Sequence, residues 1–170
     1  MVGTVLFLAA NTASAGECER EVSSLEFASL LIRHAPNDDP MQRAQAALAC
    51  VTEPLTAPDA SLFHQAAARS SWRAGARTEA IRSAAAGLAA RPGYAPPADL
   101  VELYALAQQF QVGAAIKVPA GSIIDGVPGG EAHVGRVAVV QVPSEGKFQT
   151  LYLHPYGELL SPATTATSAA

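Results

Sequence analysis

The stretch SLFHQAAARSSWRAG (residues 61–75) followed by ARTEAIRSAAAGLAARPGY (residues 76–94) decides the fold. Two helical patterns meet at Gly75, a residue that ends helices readily because it tolerates left-handed backbone. Small residues recur at Ala80, Ala84 and Gly87, where two helices packed side by side must touch. Pro92 closes the unit, since proline cannot continue a helix. The spacing predicts one helix over 60–74, with Asp59 as its N-cap, and a second from Arg77 or Thr78 to Ala90.

Working outward, the same period appears on both sides. Val22, Leu25, Phe27, Ala28, Leu31 and Ile32 recur at three- and four-residue steps, predicting a helix over 17–33 with acidic residues in its first turns. Asn37-Asp38-Asp39-Pro40 is a helix start signal, and Ala44, Ala47, Leu48 and Val51 form the stripe of a helix over 41–51. After Pro96-Pro97, the apolar residues Leu100, Val101, Leu103, Tyr104, Leu106, Ala107 and Phe110 predict a last helix over 98–110. The expectation is therefore about five helices, arranged as two hairpins and a capping helix.

The 34-residue frame from Ser61 to Tyr94, with Gly75, the small residues and Pro92 at its fixed offsets, resembles a tetratricopeptide-type repeat. Residues 27–60 form a weaker copy, with Ala46 and Cys50 in register with Ala80 and Ala84. His64, Ala67, Ala68 and Ser71 depart from the family, which usually has Trp, Leu, Gly and Tyr there. The resemblance implies stacked helical hairpins that present a groove to a protein partner rather than a catalytic centre.

The pattern changes at Val112. Gly, Pro and Val dominate, and period two replaces the helical period. Strands are expected over 114–118, 122–124, 134–142 and 148–153, with turns at Asp125-Gly126 and Ser144-Glu145-Gly146-Lys147. The run VPAGSIIDGVPGG (residues 118–130) resembles a PEGA-type module, a small β-sandwich often joined to bacterial envelope proteins. The predicted fold class is α+β, with tetratricopeptide-like hairpins over 16–111 and a small antiparallel β module over 112–160. The Thr/Ala/Ser-rich residues 161–170 are expected to be a disordered tail.

Charge and the cysteines constrain the role. A net charge of −4 argues against nucleic-acid binding. Residues 1–15 read as a leader: Val5 to Ala10 is apolar, and Ala13-Ser14-Ala15 offers a small-x-small cleavage site before Gly16. Its first residues carry no Lys or Arg. The run is too short to span a bilayer, so no transmembrane span is expected. Export to the periplasm or cell envelope follows, with an outer-membrane lipoprotein anchored at Cys18 as the alternative. Cys18 opens the first predicted helix and Cys50 closes the second, so an antiparallel pair places them at one end, within reach of a disulfide.

No catalytic motif stands out, and no cofactor or metal is implied. Glu131 and His133 lack further ligands to complete a metal site, and His154 sits at a strand end. A hydrolase or metal enzyme built on His133 and His154 is the least supported class. The functional stripe is basic: residues 61–94 carry five arginines against one acid, whereas 17–60 carry eight acids against three arginines. In the repeat frame Leu62, Gln65, Arg69, Trp72 and Arg73 line the groove. Guanidinium groups pair bidentately with carboxylates, and the indole is an anchor. The expected role is a non-enzymatic adaptor or assembly factor binding a protein or acidic peptide. The alternative is a structural envelope component that associates through its β module.

Overall fold

The computed structural model describes residues 40–163. The expected leader, the helix over 17–33, Cys18 and most of the tail lie outside the described residues. Among the described residues four α-helices come first: α1 (Pro40–Ala49), α2 (Ala57–Arg73), α3 (Arg77–Ala90) and, after a 3-10 turn at Ala98–Leu100, α4 (Val101–Ala107). Seven strands follow: β1 (Ala115–Ile116), β2 (Ile123–Ile124), β3 (Val127–Pro128), β4 (Ala132–His133), β5 (Ala138–Ser144), β6 (Lys147–Leu153) and β7 (Leu159–Leu160). The fold is mixed α and β with antiparallel sheets. Among the described residues, no helix is long and apolar enough to cross a membrane.

Several boundaries differ from expectation. The N-cap of α2 is Thr56, not Asp59: its hydroxyl accepts a hydrogen bond from the Asp59 N–H at 3.3 Å. Pro58 fits the first turn because its missing N–H has no intrahelical role there, and Asp59 lies where the helix dipole favours an acid. The last helix is shorter than 98–110 and starts as a 3-10 turn. The strand expected over 134–142 is broken. Gly135 adopts φ +91 and donates to Pro155 O at 2.7 Å, so the chain turns between β4 and β5.

Helices α2 and α3 form an antiparallel hairpin, because Ser61 near the start of α2 donates to Gly87 O near the end of α3 at 3.1 Å. Ala68, Ala80, Ala84 and Ala85 let the backbones approach, and Leu100, Leu103 and Tyr104 cover them. The five-stranded sheet runs in the order β3-β2-β5-β6-β7, and β1 pairs with β4 separately. In β5 and β6, Ala138, Val140, Val142, Leu151 and Leu153 fill one face. The other face carries Val139, Gln141, Thr150 and Tyr152, and is turned to the helices.

That face joins sheet and helices into one core. Val139 packs with Met41, Ala44, Leu48, Leu55, Phe63 and Ala66, and Tyr152 lies against the same cluster. The segment linking α1 to α2 is hydrogen-bonded along the sheet. Thr150 Oγ1 donates to Val51 O at 2.6 Å, Phe148 N to Thr52 O at 3.0 Å, and Gln141 Nε2 to Glu53 O at 2.7 Å. Gln141 Oε1 in turn accepts from Leu55 N at 2.8 Å. The buried amide is fully used, as a polar group removed from water requires. The change of pattern at Val112 thus marks a change of secondary structure that side-chain contacts cross.

Candidate functional site

The predicted basic stripe splits in two. Gln65 is buried and accepts from the Tyr94 hydroxyl at 2.9 Å. Arg69 is also buried, and its guanidinium donates to Asp99 through Nε at 3.0 Å and Nη2 at 3.3 Å. That hydrogen bond holds the Asp99 carboxyl below its ordinary value, against a smaller opposing effect of burial. Leu62 is half-buried. Trp72 is half-buried against the alanine-rich cluster. Arg73 is exposed, and the exposed Arg77 stacks its guanidinium 5.7 Å from the Trp72 ring centroid. Cys50 is buried and is not a free thiol. Its expected partner, Cys18, lies outside the described residues.

Sequence reasoning missed the pair that ties the hairpin to the sheet. His64 on α2 is fully buried, and its Nε2 lies 2.7 Å from Asp125 Oδ1. The same oxygen accepts from Val139 N at 2.8 Å, and Asp125 N donates to Val139 O at 2.8 Å. Asp125 and Gly126 occupy the β2–β3 turn with φ +48 and +77, a conformation that suits Asp-Gly. Gly126 is required twice over, because a Cβ there would also overlap the backbone of Thr56 and Ala57. His64 had stood out only as a departure from the repeat pattern, and Asp125 only as turn chemistry. Their separation of 61 residues leaves no local signal that they meet.

Beside this pair lies a run of packed, half-buried rings. Tyr152 sits 6.3 Å from His64 and 5.3 Å from His154, ring centre to ring centre. Burial pushes its pKa well above the ordinary tyrosine value, and the nearby Asp125 charge acts in the same direction. Burial likewise pushes Tyr104 up to about 12. His154 is held below its ordinary 6.5 by burial, partly offset by the charge of Glu158. His64 is fully buried and the Asp125 side chain is 8% exposed; their bond, with those of Asp125 to Val139, orients the Asp-Gly turn against α2 and β5. The possible ligand pair fares no better as a metal centre. His133 Nε2 lies 3.4 Å from Glu131 Oε2, and no group of three or more ligating side chains gathers among the described residues.

A comparison of the chain with protein-family models, with characterised proteins and with solved structures finds no match.

Proposed function

We propose that this chain is a non-enzymatic exported adaptor that binds an acidic protein segment at the tip where α2 meets α3, through Trp72, Arg73 and Arg77. The hairpin then acts as a tetratricopeptide-like repeat, and the PEGA-like module serves as its envelope-facing partner. The observation that carries the reading is the exposed pair Arg73 and Arg77 beside a half-buried indole. Neither arginine has an ion-pair partner among the described residues, so both are available to carboxylates. A stacked guanidinium presents a planar fork suited to bidentate pairing. Arg69 and Gln65, engaged by Asp99 and Tyr94, stiffen the platform from behind.

Trp72 is the sole tryptophan, so its emission reports contact directly. Acidic peptides should shift that emission, and the effect should weaken as salt rises because exposed charges are screened over about 8 Å at physiological ionic strength. The double change Arg73→Glu and Arg77→Glu should weaken binding at least about tenfold, whereas Arg91→Glu, at the opposite end of α3, should not. Equal losses from both would mean that net charge alone attracts the peptide and that the tip is no site. For the exported form, mass analysis should find a chain starting at Gly16 with Cys18 and Cys50 oxidised to a disulfide.

A further inference from the structure

His154 follows β6 and begins the turn that carries the chain into β7, the strand at one edge of the five-stranded sheet. That turn is held by few bonds. His154 N donates to Glu158 O at 2.8 Å, and Gly157 N donates back to His154 O at 3.0 Å. Gly157 takes φ +93, a backbone that glycine adopts without strain. β7 is two residues long and pairs with β6 through Tyr152↔Leu160 and Leu153↔Leu159. So short an edge strand belongs to the parts of a fold that open most easily.

The His154 ring is set into this junction. It stands edge-on to Tyr152, with 5.3 Å between ring centres at 79°. It also borders a cavity lined by Met41 and Gln45 of α1, Phe63 and Ala67 of α2, and the buried Pro162 beyond β7. Its Nε2 is buried, with no hydrogen-bond partner among the described residues. A neutral imidazole leaves one nitrogen bare, whereas the imidazolium carries a proton on both. Charging the ring in place therefore puts an N–H at Nε2 with nothing to receive it, a costly arrangement away from water. The surroundings compensate little. The cavity residues from α1 and α2 are uncharged, as are Tyr152 and Pro162. Beyond Tyr152, His64 is committed to Asp125. Arg82 of α3 lies 5.7 Å from the Tyr156 ring centre and offers a cation no pairing. Glu158, in the same turn, favours the charged ring, but burial outweighs it.

We infer that His154 is a proton-operated latch on the β7 edge: neutral, it stays packed on Tyr152 and holds residues 154–162 against the sheet; protonated, it swings into water and β7 detaches from β6. The latch is separate from the arginine tip and does not depend on what the tip binds. Its sign follows from linkage. The folded ring is held below its ordinary 6.5, so the detached form takes up the proton first as pH falls. The closed edge is therefore favoured above that value and loses ground below it. One such group raises the detached population by at most about tenfold between about pH 7.5 and 5.5.

The test is amide hydrogen exchange on the full chain, each rate divided by that of an unstructured chain at the same pH. Protection at the His154 and Gly157 amides should fall by roughly five- to tenfold over that range, and protection at Ala84 in α3 should hold. In His154→Phe, which keeps a ring but cannot be charged, the fall should vanish. Should that variant not fold, His154→Gln, polar and equally unchargeable, should give the same constancy. Histidine 15N spectra of the parent should show the His154 ring charging below 6.5, in step with the loss of protection. An equal fall in the Phe or Gln variant overturns the inference, and so does protection at Gly157 that survives after the His154 ring is charged.

Discussion

His64 and Arg69 stand five residues apart on α2, and each holds a carboxylate delivered from farther along the chain. The resemblance ends there. His64 meets Asp125 in the interior, where the histidine is fully buried and the Asp125 side chain is only 8% exposed. Arg69 meets Asp99 at the surface, and the Asp99 side chain remains 50% exposed. A buried pair is costly to break because it leaves an uncompensated polar group behind; an open pair exchanges its partner for solvent. The first half of α2 therefore governs whether the sheet docks, whereas the second half shapes a surface.

The sharpest way to break that contrast is at the turn. Gly126→Ala should cost about 4 kcal/mol, combining left-handed backbone with overlap against Thr56 and Ala57. Thermal unfolding should show the largest fall in melting temperature of any change considered. Asp125→Ala comes next, at about 3 kcal/mol, because it strands both His64 Nε2 and Val139 N. Asp125→Asn should cost only about 1–2 kcal/mol, since asparagine tolerates this backbone and keeps an acceptor oxygen. Equal losses from Ala and Asn would show that charge rather than hydrogen bonding secures the turn.

The smallest effect belongs to the open pair. Asp99→Ala should cost less than about 1 kcal/mol, and added salt should reduce even that. Its pH dependence has a definite sign. The folded carboxyl is held below its ordinary 3.8, so the unfolded chain binds the proton first on acidification. The stabilisation is fully present above the ordinary value and is lost as pH falls toward the lowered one. The difference in melting temperature between the parent and Asp99→Asn should therefore shrink in acid. A difference that persists there would assign the role of Asp99 to packing.

The same contrast explains what the sequence could disclose. The α2–α3 hairpin was legible because Gly75, Ala80, Ala84 and Gly87 act locally and periodically. The β5–β6 hairpin was legible because Glu145 and Gly146 supply a turn with φ +51 and +80 between alternating strands. The continuous strand expected over 134–142 failed because Gly135 answers to Pro155, a partner no local pattern names. Gln65 and Arg69 lay on the expected helix, but their partners Tyr94 and Asp99 come from the connection to α4, which periodicity cannot place. His64 with Asp125, and Gln141 with the chain around Glu53 and Leu55, were invisible for the same reason. Each polar residue looked ordinary until its distant partner was known.

The linker between α1 and α2 has a consequence for the order in which the chain assembles. Its bonds from Val51 and Leu55 reach partners 99 and 86 residues away, near the far end of the chain. Closing loops of that length is entropically slow, whereas the helical hairpin and the β5–β6 hairpin can each form from neighbours. During synthesis the linker emerges long before Gln141 and Thr150 exist to receive it. Its backbone must therefore stay hydrated until the last strands appear. The chain should then lock late and in one step, with helix–helix pairing preceding the seating of the linker, and a fragment ending at Phe110 should retain helical hairpin structure yet leave α1 unanchored.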